Sequence, residues 1–295
     1  MKKKAAYQSE DYISALKLSD KKMVSLSDEF YATKGALKTI FGMKVILESR
    51  GTPSQNDMGK FKQEAKNYFY GTIAPCVLNT QEKLFKKFGF KKVANHTILV
   101  DLKKSEEDLW NGLEKKSARW GVKFAKKNDL SFKIATEREV KQFYPLYKKT
   151  AKDGRFNSKP LKFLIVLRDT DVSKFFIIKH LKKIVAGGLI LIDQENNYSI
   201  LDLTASSDKG LKLQAMPFLY WQLILYSKSL GLNCFDLGGY DKDAKEGEKT
   251  YNINKFKERF GGEIVEQSIY STNWKYPALR YVLRKFKFLK KLYKK

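Results

Sequence analysis

Apolar and polar positions change their period several times along this chain, and each change marks an element. Residues 97–102 alternate, with Ile98, Val100 and Leu102 on one side, the spacing of a half-buried strand. Residues 43–47 and the short run 71–77, closed by Pro75, read the same way. Residues 60–68 and the basic segment 81–88, stopped by Gly89, carry helical spacing. This first stretch is an alternating α/β unit. Ser105 then stands three residues before Asp108, a capping-box signature that predicts a long helix starting there. Leu109, Leu113, Ala118 and Val122 supply its apolar stripe, while Lys115, Lys116, Arg119, Lys123, Lys126 and Lys127 make a basic surface along the same segment.

Further on, residues 130–134 read as a strand, 137–149 as a helix, and Pro160 opens an apolar helix running through Leu167. Three consecutive antiparallel strands are expected at 175–178, 184–192 and 198–203. The second is interrupted by Gly187 and Gly188, where a bulge is expected. A helix over 213–230 is stopped by Gly231, residues 234–237 form a buried strand, and a final strand lies near 264–270. No internal repeat is visible, and no sustained heptad run predicts a coiled coil.

The 295 residues, 43% of them hydrophobic, suffice for one large or two medium cores, and two domains are expected. The formal net charge of +26, from 58 basic and 32 acidic residues, exceeds what solubility requires and points to polyanionic partners. RNA, phospholipid head groups and a nucleotide-sugar diphosphate all qualify; a general lysine bias accounts for part of the excess. Cys76 and Cys234, both in apolar surroundings, suggest neither a disulfide framework nor a zinc site. His96 and His180 are too few for a histidine metal cluster or a Ser-His-acid triad, so no metal is expected and structural roles are assigned to both. Gln8, Glu10 and Asp11 interrupt the run after the basic Met1-Lys2-Lys3-Lys4, so a signal-peptide core is not expected, and no segment approaches a membrane span. A cytoplasmic monomer is the expectation.

The richest chemistry lies in the last quarter. Phe235-Asp236-Leu237-Gly238-Gly239 is followed, after a polar loop, by Phe256-Lys257-Glu258-Arg259-Phe260-Gly261-Gly262. The first glycine pair supplies a sharp exit from a strand where a side chain would obstruct a ligand. Lys257, on a short basic turn between Phe256 and Phe260, presents a single cation from an apolar platform. A surface lysine within the basic set Lys255, Lys257 and Arg259 is the plainer alternative, and Phe256 is equally suited to filling the core.

These segments resemble the C-terminal part of the Fem-type non-ribosomal peptidyl (aminoacyl) transferases, whose domains have the acetyltransferase-like GNAT fold. The match runs in patches from Phe30 to Gly262. Phe88-Gly89-Phe90 leads into Thr97-Ile98-Leu99-Val100-Asp101-Leu102, then come Arg119, Val122 and Ala125, Gly188-Leu189-Ile190-Leu191, Ala205-Ser206-Ser207, Trp221, and the two glycine-bearing segments, in the family's order. The resemblance implies an α/β (α+β) protein of two GNAT-like domains, each a mixed, largely antiparallel sheet flanked by helices. The first is expected at 1–104, completed by 268–295, and the second at 105–267. It also implies transfer of an amino acid from aminoacyl-tRNA to the stem peptide of a peptidoglycan precursor, lipid II or UDP-MurNAc-pentapeptide, with no cofactor.

In that family the Phe-Lys pair lies at the acyl-transfer centre, and here it falls on Phe256 and Lys257, with Lys257 as the catalytic candidate. Precursor phosphates are held in relatives by a first-domain lysine, for which Lys38 is the counterpart, and by an arginine with a tyrosine one turn later. Lys159 and Phe163 stand in that place; Arg155 is a substitute. Gly238 and Gly239 complete the substrate-binding candidates, and Arg119, Lys123, Lys126 and Lys127 are the candidate RNA contacts.

Two other readings remain at this point. An acyl-CoA-dependent acyltransferase acting on a cell-surface polysaccharide or amino sugar would carry a glycine-rich pyrophosphate loop, and Lys209-Gly210-Leu211-Lys212-Leu213-Gln214-Ala215 offers one glycine. A catalytically inactive RNA- or membrane-binding module would rest on residues 280–295, a basic, aromatic-rich, acid-free segment expected to form an amphipathic helix against an anionic membrane.

Overall fold

In the computed structural model, which describes residues 5–19, 21–39, 42–78, 81–154 and 156–285, the chain forms two compact units. One is built on His96–Val265. The other takes Tyr7–Asn95 and, after the chain returns, the segment from Glu266. Each has its own mixed sheet and its own core.

The smaller unit orders its strands Met23–Ser25, Tyr31–Thr39, Gly42–Arg50, Gly71–Ala74, Ile269–Ser271 and Lys91–Val93. Gly42–Arg50 and Gly71–Ala74 pair in parallel, and the other neighbours are antiparallel. Helix Gln55–Glu64 begins at a true capping box, Ser54 with Asp57, and lays Met58 and Phe61 onto Leu47 and Ile73. Tyr270 stacks on Phe85 with ring centroids 3.8 Å apart, which anchors the returning strand.

In the larger unit the sheet order is Glu263–Glu266, His96–Asp101, Cys234–Asp236, Tyr198–Ser206, Lys183–Asp193, Ser173–His180, Ser131–Ile134, with Asp169–Thr170 paired beside Ser173–His180. The expected antiparallel trio is present. Tyr198–Ser206 and Cys234–Asp236 run parallel, paired only over Tyr198, Ser199 and Ile200 against Cys234, Phe235 and Asp236. Beyond Ile200 the first strand continues to Ser206 while the second ends, so the two part at their carboxyl ends. Helix Ala215–Ser229, apolar on almost every side, covers the sheet with Leu219, Leu223 and Ile224 fully buried.

Three expectations are corrected by the backbone. The bulge is not at Gly187 and Gly188. Leu189 faces Leu203 and Ile190 faces Leu201, so Asp202 is the extra residue, and a second irregularity leaves Val185 unopposed. The two glycines serve close packing instead, since a Cβ on Gly187 would stand 2.8 Å from the Phe176 carbonyl oxygen and one on Gly188 2.9 Å from that of Leu203. The final strand over 264–270 is two strands, Glu263–Glu266 and Ile269–Ser271, one in each sheet.

The long helix from Ser105 is broken as well. Ser105 caps it as expected, accepting from the Asp108 backbone N–H at 3.0 Å, but it stops at Gly112. A wide π-type turn over Lys115–Arg119 follows, and then helix Trp120–Lys127. Leu109 and Leu113 are four apart, as are Ala118 and Val122, but Leu113 and Ala118 are five apart. The wide turn absorbs the extra residue and keeps all four side chains buried.

Gly210 shows how tightly this unit is closed: a Cβ there would lie 2.3 Å from the Val185 carbonyl oxygen. Replacing it by alanine is expected to lower the stability of the protein by about 2 kcal/mol, read as a lower urea midpoint at unchanged slope. An unchanged midpoint would show that the backbone yields there at no cost.

Candidate active site

The chain leaves strand Cys234–Asp236 through Leu237, Gly238 and Gly239 at the point where the parallel strands part. Gly238 takes φ +80°, a left-handed conformation that suits glycine, and a Cβ there would stand 3.4 Å from the Leu201 carbonyl oxygen. The turn directs the Gly238 and Gly239 carbonyls toward helix Lys249–Glu258. There Lys257 Nζ donates to both, at 2.9 Å each. Lys257 is therefore not on an open basic turn but inside, with 8% of its surface exposed. Each charge-assisted bond contributes about 1.5–3 kcal/mol, which offsets the cost of burying the ammonium. An ammonium has three donors, and the two carbonyls account for two of them.

Asp236 lies directly before this turn and is fully buried. It accepts from the Gly238 backbone N–H at 2.7 Å and from the Thr97 hydroxyl on the neighbouring strand; its other oxygen, Oδ2, is buried with no hydrogen-bond partner among the described residues. Burial raises its carboxyl to about 6, against the pull of Thr97, Gly238 and the Lys257 charge. Burial likewise lowers Lys257 to about 8, against the opposing attraction of Asp236. Near neutral pH both groups are charged, each sustained by the other.

Phe256 points the other way, into an aromatic cluster. Its ring meets Tyr220 at 5.1 Å and Phe260 at 5.3 Å, both edge-on, and fixes the helix that carries Lys257. Phe256 also lines a cavity of about 350 Å³ whose wall includes Lys116, Trp120, Gln214, Met216 and Arg259. The broken helix opens this space, and helix Ala215–Ser229 starts beside it, entered through Gln214 at φ +55°. A helix N-terminus with lysine and arginine nearby favours an anionic group.

The remaining candidates fall in several places. Lys159 is bound to Asp202, the bulge residue, and stands 4.7 Å over the ring of Phe163, which is itself core; its backbone N–H donates to the Tyr147 hydroxyl at 3.2 Å. Its charge is thus neutralised by a buried carboxylate, a partner the sequence spacing did not reveal. Arg119 donates to the Asn111 and Leu113 carbonyls at 2.9 and 3.0 Å and so closes the helix break. Lys123, Lys126 and Lys127 are exposed on helix Trp120–Lys127. Lys38 sits on strand Tyr31–Thr39 opposite Met43, in the smaller unit. Arg155 lies outside the described residues. Gly210 is closed against strand Lys183–Asp193 and does not form an open phosphate cradle. Among the described residues no three His, Cys, Asp or Glu side chains group as metal ligands, and no helix is long and apolar enough to cross a membrane.

Asp236 sets a pH signature. Its carboxyl is raised from 3.8 to about 6 in the folded protein, so its favourable contribution is complete below pH 3.8 and is lost as pH rises through 6. The melting temperature of the protein relative to its Asp236→Asn variant is expected to fall between pH 4 and pH 7. Parallel melting curves over that range would contradict the assignment of a neutral-favouring site to Asp236.

No protein-family model matches the chain, and no curated protein matches it in sequence. Solved structures do match in fold. FemX superposes with a TM-score of 0.69 at 14% identity, covering 95% of both chains. The C-terminal domain of a protein described as a lysylphosphatidylglycerol synthetase from Agrobacterium fabrum gives 0.66 at 14% identity, over 94% of this chain and 92% of its own. L-PGS from Bacillus licheniformis gives 0.64 at 15% identity, over 96% and 98%. The chain thus shares its fold with FemX and the two synthetase-related structures over nearly its whole length.

Proposed function

We propose that the protein is an acyltransferase that moves an amino acid from aminoacyl-tRNA to an amine on the stem peptide of a cell-wall precursor. The observation that carries this reading is Lys257: an ammonium held by two backbone carbonyls where parallel strands part, the position at which open α/β sheets bind their ligands. In the reaction the acceptor amine attacks the ester carbonyl carbon of the donor and a C–N bond forms. The carbonyl oxygen becomes an oxyanion, the intermediate collapses, the ester C–O bond breaks, and the ribose hydroxyl leaves with a proton. The chemistry needs a fixed positive charge at the oxyanion, which the remaining Lys257 N–H supplies without reorganisation. The amine of Lys257 is not a nucleophile in this scheme, because it is protonated near neutral pH and bonded to Gly238 and Gly239.

The cavity beside Phe256, with Lys116, the start of helix Ala215–Ser229 and Arg259, whose guanidinium also faces Glu114 at 3.4 Å, suits the phosphate-bearing end of the donor. FemX and the synthetase-related structures share the fold, which supports the reading at the level of the scaffold. The pairing of Lys159 with Asp202 removes one cation from those available to a precursor diphosphate. An acyl-CoA donor is the less favoured reading, because the single glycine of the 209–215 run is closed against the Val185 carbonyl.

The test is transfer of radiolabelled amino acids from a mixed charged-tRNA pool to lipid II and to UDP-MurNAc-pentapeptide. Lys257→Met, which keeps the apolar stem, is expected to lower the rate by about 10²–10³-fold with the melting transition still cooperative. Wild-type transfer is expected to decline on the alkaline side as Lys257 loses its proton near pH 8. Transfer unchanged in the variant would remove Lys257 from the chemistry, and transfer from acyl-CoA alone would replace the donor.

A further inference from the structure

The smaller unit carries a surface that the transfer chemistry does not use. Helix Lys275–Lys285 docks on one face only. Tyr276 meets Tyr70 with ring centroids 5.1 Å apart, and Arg280 donates to the Asn95 side chain at 3.3 Å. No residue of this helix is fully buried. Trp274, whose carbonyl accepts the first helical bond from Ala278, is 68% exposed, and Tyr281 is 64% exposed. Tyr281 comes five residues after Tyr276, on the side of the helix turned away from it, and Trp274 stands immediately before the helix begins.

Trp274 lines a cavity of about 570 Å³ with Phe90, Tyr270, Lys86, Lys91, Lys92 and one acid, Glu82. Lys92 is held by Glu82 and Glu266 at 2.7 and 2.8 Å. Lys86 and Lys91 are exposed and make no ion pair among the described residues. Next to Trp274 in sequence, Lys275 lies over the Phe69 ring at 4.9 Å, and the Phe69 N–H donates to the Val45 carbonyl of the hairpin strand Gly42–Arg50. Val45 is 51% and Met43 62% exposed. The smaller unit thus exposes two aliphatic side chains, two aromatic rings and a lysine-bearing cavity, and the sequence from Gln267 onward holds no acid.

We infer that this face docks on an anionic lipid bilayer, with Trp274, Tyr281, Met43 and Val45 entering the acyl-chain boundary and Lys86 and Lys91 receiving a lipid phosphate in the cavity. Aromatic rings on a helix flanked by lysine and arginine are the pattern of an interfacial helix. Exposed Met43 and Val45 favour acyl chains over nucleic acid bases, which would use the rings but not the aliphatic side chains. Each basic residue near an anionic leaflet adds about 1 kcal/mol. The inference stands whichever acyl donor the larger unit uses.

The experiment uses the full chain and sedimentation with vesicles of phosphatidylcholine alone or mixed with phosphatidylglycerol. Binding is expected only to the mixed vesicles and to weaken with salt. Lys86→Ala with Lys91→Ala is expected to reduce it by about tenfold or more. Brominated acyl chains are expected to quench tryptophan emission, and Trp274→Phe to abolish that quenching. Lys126→Glu with Lys127→Glu, on the larger unit, serves as the control for diffuse charge and is expected to leave binding within about twofold. Four outcomes would overturn the inference: equal binding to both vesicle types, quenching that survives Trp274→Phe, full competition by millimolar inorganic phosphate, or loss at Lys86 and Lys91 of tRNA binding but not of vesicle binding.

Discussion

Everything at the candidate site depends on one buried ammonium and the two carbonyls that hold it. Lys257 reaches inward from its helix to Gly238 and Gly239, and those carbonyls point at it because Gly238 adopts a left-handed backbone. Asp236, two residues earlier, fixes the same turn through the Gly238 N–H and supplies the compensating negative charge. Neither charge is comfortable alone in so apolar a setting: burial pushes the lysine down and the aspartate up. The pair is maintained by the packing of Phe256 and Phe260 on Tyr220, aromatic contacts of about 0.5–1.5 kcal/mol each, which set the depth of the lysine-bearing helix.

Two irregularities shape the space around that pair. The bulge at Asp202 re-aims one residue of strand Tyr198–Ser206 so that a carboxylate, nearly buried, captures Lys159. The wide turn at Lys115–Arg119 interrupts the helix and lines the cavity beside Phe256 with Lys116, Ser117 and Ala118, and Arg119 satisfies carbonyls the break leaves behind. Both are local departures from regular geometry: the bulge follows the point where the parallel strands part, and the wide turn lines the cavity beside Phe256. Sites on this kind of sheet need such departures, because a fully paired sheet has no room for a substrate.

Much of the fold was legible in the residues. Alternation at Ile98, Val100 and Leu102, the Ser105–Asp108 cap, the three-strand run ending near Leu203, and the stop at Gly231 each state a local preference that the tertiary structure keeps. The two mixed sheets follow from that order of elements. The break after Gly112 was written in the five-residue step from Leu113 to Ala118 but is easily read as one continuous stripe. The splitting of 264–270 into two strands was not legible, because both halves have strand character and only the partners, Ile98 and its neighbours for one and Tyr270's neighbours for the other, decide the division. At the site, motif order and the family resemblance made Lys257, Gly238 and Gly239 candidates for one site. The inward direction of the Lys257 side chain was not legible, since one helical residue among Lys255, Lys257 and Arg259 looks like another until the burial of Asn254 and Lys257 sets the inner face. Likewise nothing in the spacing pairs Lys159 with a residue 43 positions away.

The most direct measurement is the titration of the Lys257 side chain itself, followed by nitrogen-detected NMR in protein carrying labelled lysine, with Lys257→Met to assign the signal. An ammonium buried between Gly238, Gly239 and Asp236 predicts a midpoint near 8, well below the ordinary 10.5, and a further fall when Asp236 is replaced by asparagine and its attraction is lost. A midpoint at 10.5, unmoved by the Asp236 substitution, would place Lys257 in solvent and contradict the account of the site.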